Sequence, residues 1–255
     1  MTAFYRPVRP GVLAATEHTV GPWVDTDQHA GPPSALLVRA LESVLPAADG
    51  WLARVSIDLL GPIPVAELTV DAKVVRPGRS VQLAEATLTV GGRPVARAGG
   101  WWHRLGDTAA VATAPPAAGV PELPAPRGDE AWTGGYLQAM EWRWLRGHFT
   151  EAGPATVWTR MRIPLVEGEE PTPTQRVLVT ADSGNGVSGV LPLAGWLYVN
   201  TELTVHLLRP PVGEWVCLDA VTEIGPTGGG VAASTLSDAA GPVGRGAQAL
   251  LVRPR

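Results

Sequence analysis

A second copy of an earlier segment occupies Asn200–Gln248, which reads NTELTVHLLRPPVGEWVCLDAVTEIGPTGGGVAASTLSDAAGPVGRGAQ. When Leu203–Leu250 is laid over Val55–Trp102 without a gap, identical residues recur at a constant separation (207 − 59 = 148 and 245 − 97 = 148). The identical pairs include Leu59 and Leu207, Leu60 and Leu208, Pro62 and Pro210, Asp71 and Asp219, Ala72 and Ala220, Thr87 and Thr235, Leu88 and Leu236, Pro94 and Pro242, Val95 and Val243, and Arg97 and Arg245. Two copies of this length are too few for a solenoid, so the sequence predicts a duplicated domain.

The first copy predicts a buried helix followed by an antiparallel sheet. Pro32 and Pro33 lead into Ser34–Leu45, whose apolar residues cover almost the whole circumference, a pattern typical of a helix packed on all sides. Alternating runs separated by turns that contain Pro or Gly then indicate four strands. The predicted strands are Arg54–Leu60, Leu68–Arg76, Val81–Val90 and Pro94–Arg104.

The second half repeats this order of elements. Thr172–Asp182 resembles the first helix, with Pro173 in its first turn. The predicted strands of this half are Tyr136–Leu145, Ala155–Ile163, Trp196–Leu208, Glu214–Ile224, Gly230–Asp238 and Gly244–Arg253. The sequence therefore predicts an α+β protein in which each half is a buried helix wrapped by a curved antiparallel sheet, with the two sheets joined into one.

An Ala- and Pro-rich stretch, Asp107–Glu130, separates the halves and has no periodicity. We expect it to cross the outside of the molecule as a linker. The corresponding domain boundaries are 1–106 for the N-terminal domain, 107–133 for the linker and 134–255 for the C-terminal domain.

Composition limits the partners and the compartment. The net charge of −4, the pI near 5.7 and the lack of a Lys/Arg cluster argue against nucleic acid or an anionic membrane as a partner. The single cysteine, Cys217, cannot form an internal disulfide, which suits a reducing cytoplasm. We find no signal peptide, and no apolar run approaches the roughly 18 residues that span a bilayer.

Several common sites are not indicated by the sequence. The histidines lack acidic or cysteine partners at ligand spacing, so we expect no metal, and no cofactor is predicted. Gly184–Gly189 matches G-x-G-x-x-G, but it follows a predicted helix rather than a strand, so we interpret it as a loop and not as a dinucleotide site. No G-x-S-x-G elbow is present.

Four short motifs together resemble the acyl-CoA thioesterase II-like family, and in particular its actinobacterial-type members. The motifs are Gln28-His29-Ala30-Gly31-Pro32-Pro33, Ala181-Asp182-Ser183, Asn200-Thr201-Glu202-Leu203-Thr204-Val205-His206 and Gly244-Arg245-Gly246-Ala247-Gln248. This resemblance covers nearly the whole chain and implies a tandem double hotdog fold. The sequence departs from the family pattern at Ala30, where Gly is common, and at Asn200, where the thioesterases have Thr.

The resemblance implies hydrolysis of an acyl-CoA or a related acyl thioester. It assigns Asp182 as the base, or as the nucleophile, and Gln248 with Asn200 or Thr201 as the residues that orient the water. A helix N-terminus supplies a backbone N–H to the forming oxyanion, and our candidate is the start of the first helix. There His29, Ala30 and Gly31 are candidate substrate contacts.

Comparison of the two copies favours these assignments. If Ala40 is aligned with Ala181, Leu41 stands opposite Asp182, so the carboxylate is expected to be buried, and buried carboxylates need a reason. Gly100 stands opposite Gln248. Asp182 as a helix cap or turn former, and Gln248 on a solvent-facing strand, remain alternatives. Asn200 and Thr201 alternate along a strand, so only one of them can point at Asp182.

Other functions stay open on sequence alone. The alternative is a non-catalytic double hotdog that binds an acyl thioester or lipid without hydrolysing it. A hotdog hydratase would need a His/Asp or His/Glu pair in its pocket, and Asp25 and Asp27 near His29 show no helical arrangement that would form one. The acyl chain and its carrier, CoA or protein-bound pantetheine, are not specified. We expect a homodimer or a larger homo-oligomer.

Overall fold

The computed structural model describes residues 2–114, 119–126 and 134–255. The elements of the first half are β1 Tyr5–Arg9, β2 Val12–Ala15, α1 Gly31–Val44, β3 Gly50–Leu59, β4 Glu67–Arg76, β5 Val81–Val90 and β6 Arg93–Arg104. Those of the second are α2 Gly135–Ala139, β7 Met140–His148, β8 Glu151–Met161, α3 Pro173–Ala181, α4 Gly184–Val187, β9 Trp196–Asn200, β10 Glu202–Leu207, β11 Val216–Ile224, β12 Gly229–Asp238 and β13 Gly241–Pro254. The helix and strand order predicted for both copies is therefore present.

The strands form one sheet of 13 strands within the described residues, in the order β1-β2-β4-β5-β6-β3-β10-β13-β12-β11-β8-β7, with β9 also paired to β13. Its paired strands are antiparallel, as predicted. The halves join where β3 pairs with β10. At that seam Ser56 lies opposite Thr204, its counterpart at the separation of 148 positions, so the pseudo-twofold axis passes between them.

The strand register repeats at the same separation as the sequence. Each strand pair of β3 to β6 has a counterpart among β10 to β13 with the same residues opposed. Equivalent pairs are Ser56 with Gly99 and Thr204 with Ala247, Ala84 with Gly100 and Ala232 with Gln248, and Ala72 with Ala86 and Ala220 with Ser234. The alignment made from sequence is therefore also the structural alignment of these strands.

The helices α1 and α3 pack against each other and against the sheet, and their apolar residues belong to one core. They run antiparallel. The start of α1 approaches the end of α3, since a Cβ at Gly31 would lie 2.5 Å from the carbonyl oxygen of Val179. At the other end, Glu42 of α1 accepts hydrogen bonds from Thr172 and Gln175 at the start of α3. Each helix N-terminus therefore faces the other half.

Two predictions of secondary structure are wrong in detail. Tyr136 lies in the short helix α2 and not in a strand, because Gly134 and Gly135 turn the chain with φ of 103° and 62° and the Tyr136 N–H donates to the carbonyl of Val20. The stretch interpreted as a loop after α3 contains the single-turn helix Gly184–Val187, whose N–H groups bond back to the preceding turn.

A third difference concerns the strand predicted at Trp196–Leu208. It is interrupted at Thr201, which lies between β9 and β10. The equivalent place in the first half is Ala53, where the pairing of β3 with β6 shifts by one residue. Because a bulge of this kind turns the strand, it re-aims the neighbouring side chain, here Asn200.

The described parts of the linker, 107–114 and 119–126, are mostly exposed and contain a short 3-10 helix at Ala109–Val111. Residues 115–118 and 127–133 lie outside the described residues. Among the residues that are described, no helix is long and apolar enough to span a bilayer.

Candidate active site

Asp182 follows α3 directly and is 3 % exposed, so its carboxylate is buried as the sequence comparison predicts. Three polar side chains surround this carboxylate. Asn200 Nδ2 donates to Oδ1 at 2.8 Å, Gln248 Nε2 lies 3.4 Å from the same oxygen, and His29 Nδ1 lies 3.1 Å from Oδ2. The carboxylate is thus held in a fixed orientation at the junction of both halves.

Gln248 is held on both sides. Its Nε2 also donates to the carbonyl oxygen of Asp182 at 3.0 Å, and its Oε1 accepts from the N–H of Asn185 at 2.9 Å. The side chain is 1 % exposed, so it does not lie on a solvent-facing strand. Burial of an amide with all these partners leaves it little freedom to rotate.

Asn200 and Thr201 lie in different surroundings. Asn200 points at Asp182, while the Thr201 hydroxyl lies 3.4 Å from the carbonyl oxygen of Ala249 and the residue is exposed. The structure therefore brings Asn200, and not Thr201, to the carboxylate.

The start of α1 offers few backbone donors. Ala30 is the N-cap and has no side-chain hydrogen bond to the helix, and Pro32 and Pro33 have no N–H. Since the Ser34 N–H already donates to the carbonyl of Ala30, the Gly31 N–H is the first donor of the helix itself. A side chain at Gly31 would collide with the backbone of Val179, so only glycine permits this close approach of the two helices.

His29 connects Asp182 with the start of α1. Its Nδ1 lies 3.1 Å from Asp182 Oδ2 and 3.0 Å from the Gly31 nitrogen, and its ring stacks on Tyr136 with centroids 3.8 Å apart. Burial lowers the pKa of His29 and the Asp182 carboxylate opposes that shift, leaving the pKa below its ordinary value. A neutral His29 can either donate from Nδ1 to Asp182 or accept there from Gly31, but not both.

A cavity of about 440 Å³ opens onto this cluster, and we name it the Asp182 cavity. Among the predicted site residues, His29, Ala30, Asp182, Asn200 and Thr201 line it. Its wall is mostly apolar, as in typical ligand pockets, with a few convergent polar groups. Gln248 lies behind Asp182 and Gly31 behind His29, so both reach the cavity through these neighbours.

Three contacts at the site have no signal in the sequence. Asn185 fixes Gln248 through its backbone N–H. Tyr136 stacks on His29 and donates its hydroxyl hydrogen to the carbonyl of Val179. Trp23, in the irregular segment before α1, also lines the cavity. Backbone donors and loop aromatics leave no pattern of spacing, which explains why the motifs do not reveal them.

Within the described ranges, no group of three or more His, Cys, Asp or Glu side chains is arranged to hold a metal ion. The buried thiol of Cys217 has a pKa raised to about 12, chiefly by burial, and belongs to strand β11 on the sheet. It takes no part in the site around Asp182.

Comparison with known proteins identifies the family. A model of the acyl-CoA thioesterase N-terminal domain matches residues 19–103, and a model of the acyl-CoA thioesterase C-terminal domain matches residues 115–252, which is more than half of the chain. A search of curated protein sequences finds no match.

Solved structures share the fold over nearly the whole length at low sequence identity. A hot dog fold protein of unknown function from Alicyclobacillus acidocaldarius is 15% identical, with a TM-score of 0.73 and coverage of 97% of this chain and 95% of that one. The acyl-CoA thioesterase II TesB2 from Mycobacterium marinum is 16% identical, with a TM-score of 0.67 and coverage of 98% and 96%. The tesB protein of Mycobacterium avium subs. paratuberculosis is 15% identical, with the same TM-score and coverage.

These structures show the fold, and the family models show the relationship. Together they confirm the resemblance that the motifs suggested: the chain is a double hotdog protein and belongs to the acyl-CoA thioesterase family.

Proposed function

We propose that this protein hydrolyses an acyl-CoA or a related acyl thioester with a water molecule activated by Asp182. The observation that supports the proposal most strongly is the buried Asp182 carboxylate, which is held by three polar side chains yet lines a cavity. An ionised buried carboxylate that is fixed and still accessible is suited to accept a proton.

The hydrogen bonds of Asp182 leave one lone-pair site of its carboxylate for a water molecule. A carboxylate offers about four lone-pair sites. Asn200 and Gln248 engage Oδ1, and His29 engages one site of Oδ2. The remaining site on Oδ2 is the one we assign to the catalytic water, with Asn200 and Gln248 holding the carboxylate in position rather than contacting that site themselves.

In the proposed reaction, Asp182 takes a proton from the water while the water oxygen forms a bond to the carbonyl carbon of the thioester. His29 donates from Nδ1 to Asp182 in this proposal, and the start of α1, with the Gly31 N–H behind His29, stabilises the oxyanion through its positive dipole end. The intermediate then expels the thiolate by cleavage of the C–S bond. Asp182 returns the proton to the sulfur, and the products are the carboxylic acid and the thiol.

An assay of free thiol released from a panel of acyl-CoAs tests the proposal. We expect turnover of at least one member by the wild type. A chain that binds a thioester but releases no thiol from any member would replace this proposal with the non-catalytic binding protein. Single turnover in ¹⁸O-labelled water tests the nucleophilic route, because label on Asp182 can come only from attack of water on the Asp182 carbonyl of an acyl–Asp182 anhydride.

We further propose that residues 1–106 and 134–255 are the two hotdog domains, with 107–133 as the linker, and that the protein forms a homodimer or a larger homo-oligomer. Limited proteolysis should cleave first within 107–133. Light scattering that gives a single 26.7 kDa species at high concentration would contradict the oligomer.

A further inference from the structure

A second cavity adjoins the Asp182 cavity and has the same volume, about 440 Å³. We name it the Phe149 cavity, because Phe149 lies in its wall. His29 and Trp23 line both cavities, so the two spaces are neighbours on either side of these residues, next to the Asp182 carboxylate. Asp182 faces the first cavity and the next residue, Ser183, faces the second. A thioester has two arms that leave its carbonyl carbon, and two cavities border the place where His29 and Asp182 lie.

The walls of the two cavities differ in charge. The Asp182 cavity includes two charged residues, the half-buried Asp27 and the exposed Arg253. The Phe149 cavity has no carboxylate or guanidinium group among its lining residues, and its walls are mostly aromatic and aliphatic. The rings and apolar side chains that define it are Trp23, Phe149, Tyr198, Leu137, Leu191 and Leu193.

On the basis of the proposed function, we propose that the Phe149 cavity holds the acyl group and that the Asp182 cavity holds the pantetheine arm. The substrates are then thioesters with an apolar acyl chain of several carbons, and not acetyl thioesters. The carbonyl carbon lies between the two cavities, beside His29 and within reach of a water on Asp182.

The cost of desolvating the two charged residues favours this orientation. An alkyl chain in the Asp182 cavity would remove water from Asp27 and Arg253 without offering them a hydrogen bond, which is unfavourable. The pantetheine arm carries amide groups that can bond to the few polar side chains of the Asp182 cavity, and it leads to phosphates that Arg253 can approach. The Phe149 cavity offers an alkyl chain apolar surface instead. Its volume is well above the roughly 150 Å³ that encloses a benzene molecule in an engineered protein cavity.

A side chain can be added at Gly186, in the wall of the Phe149 cavity, without strain. This glycine lines the cavity, no atom lies within 4 Å of the position that a Cβ would occupy, and its φ is not positive. Gly195 has the same properties but lines neither cavity. Gly186→Leu is therefore the test variant, and Gly195→Leu is its matched control.

The experiment measures binding of S-alkyl-CoA thioethers, which resist hydrolysis, by calorimetry over a series of alkyl lengths from two to ten carbons. In the wild type we expect Kd to fall up to about fourfold per added methylene, the value of one fully buried methylene, until the cavity is full. Gly186→Leu should bind the shortest thioether like the wild type and lose most of the dependence on length. Gly195→Leu should keep that dependence. Val199→Phe, in the wall of the Asp182 cavity, should weaken all lengths by a similar factor.

A length dependence that survives in Gly186→Leu and disappears in Val199→Phe would show that the chain lies in the Asp182 cavity and would overturn the proposal. Affinity that is independent of length in the wild type would overturn it as well. If Gly186→Leu does not fold, Ala152→Phe in the same wall takes its place. Because the thioethers report binding alone, a failure of hydrolysis leaves this test intact, and a failure of this test leaves hydrolysis intact.

Discussion

Two places, one in each half, have equivalent positions in the strand register but differ in their side chains, which are polar in one half and apolar in the other. Each place takes one residue from the end of its helix, one from beside the strand bulge and one from the long C-terminal strand. The counterparts are Asp182 and Leu41, Asn200 and Leu52, and Gln248 and Gly100. In the second half the three are polar and joined by hydrogen bonds. In the first half two leucines fill the space, and a Cβ on Gly100 would lie 2.8 Å from Leu52 and 2.9 Å from Leu41.

This difference shows that the two halves of a duplicated fold fill the same place in two alternative ways, one polar and one apolar. A half-satisfied buried polar cluster is worse for stability than an apolar core, so a site that loses its function has no stable intermediate composition. The three positions of each half are therefore matched to one another, and glycine fits beside the two leucines because a larger residue at position 100 would collide with them. The four predictions that follow test this comparison.

The largest effect is expected for Asp182→Asn. Loss of the proton acceptor should lower kcat for the best acyl-CoA by about 10²–10⁴, because general base catalysis typically contributes that factor. The amide has nearly the shape of the carboxylate, so we expect the fold to survive, which circular dichroism would verify. Asp219→Asn on the exposed face of β11 is the matched control and should retain the wild-type rate. A wild-type rate for Asp182→Asn would contradict the assignment of the base.

Gly100→Gln places the counterpart of Gln248 into the leucine-filled place. The new side chain would overpack Leu41 and Leu52 and bury an amide without partners, so we expect a loss of about 2–4 kcal/mol in the free energy of unfolding. Gly99→Gln is the control, because the neighbouring residue faces the other side of the strand, where its Cβ would meet only Ser56 and Arg54. Urea denaturation compares the two. Equal stability of both variants would show that the leucines do not fill this place tightly.

Gln248→Ala should lower kcat less than the change at Asp182, by about 10- to 100-fold. A hydrogen bond to a charged group contributes about 1.5–3 kcal/mol, and each 1.36 kcal/mol corresponds to a factor of ten in rate. Because Gln248 acts by fixing Asp182, its removal should have little further effect in the Asp182→Asn background. Fully additive effects in the double variant would show that Gln248 acts independently of the carboxylate.

Part of this comparison is readable from the sequence. The ungapped repeat predicts the order and register of β3 to β6 and β10 to β13, because strand pairing in a buried sheet is specified by which residues face the core. It also pairs Leu41 with Asp182 and Gly100 with Gln248. The same separation pairs Leu52 with Asn200, but identity fades at that end of the alignment.

What the sequence does not show depends on contacts distant in the chain. His29 reaches Asp182 only because α1 and α3 pack antiparallel, and no local pattern specifies that packing. Trp23 lines both cavities from an irregular segment, where side-chain direction follows from the surrounding structure alone. The helix α2 is short enough that its apolar residues are equally compatible with a strand, and two glycines with positive φ decide the outcome.

The smallest effect concerns Glu42, the residue of α1 that follows Leu41 and contacts the start of α3. The start of α1 faces a carboxylate that lines a cavity, whereas the start of α3 holds a carboxylate bonded to Thr172 Oγ1 at 2.9 Å and Gln175 Nε2 at 2.7 Å. Burial raises the pKa of Glu42 above its ordinary value of 4.5, and hydrogen bonds from Gln175, Thr172 and Thr174 oppose the shift only in part.

A raised pKa in the folded state means that the folded protein holds the proton more tightly than the unfolded chain does. The contribution of Glu42 to stability is therefore fully present below pH 4.5 and is lost as the pH rises through the folded-state pKa. We expect the free energy of unfolding of the wild type, relative to Glu42→Gln, to fall as the pH rises above 4.5, measured by urea denaturation between pH 4.5 and 7.5. The exposed control Glu85→Gln should show no such trend. Glu42→Gln should also leave kcat unchanged. The Glu42 carboxylate is bonded to Thr172 and Gln175, and the first half has leucines where the second half has the polar residues of the site. A pH-independent difference would mean that Glu42 titrates alike in both states, and a lower kcat would mean that the first half still contributes to the reaction.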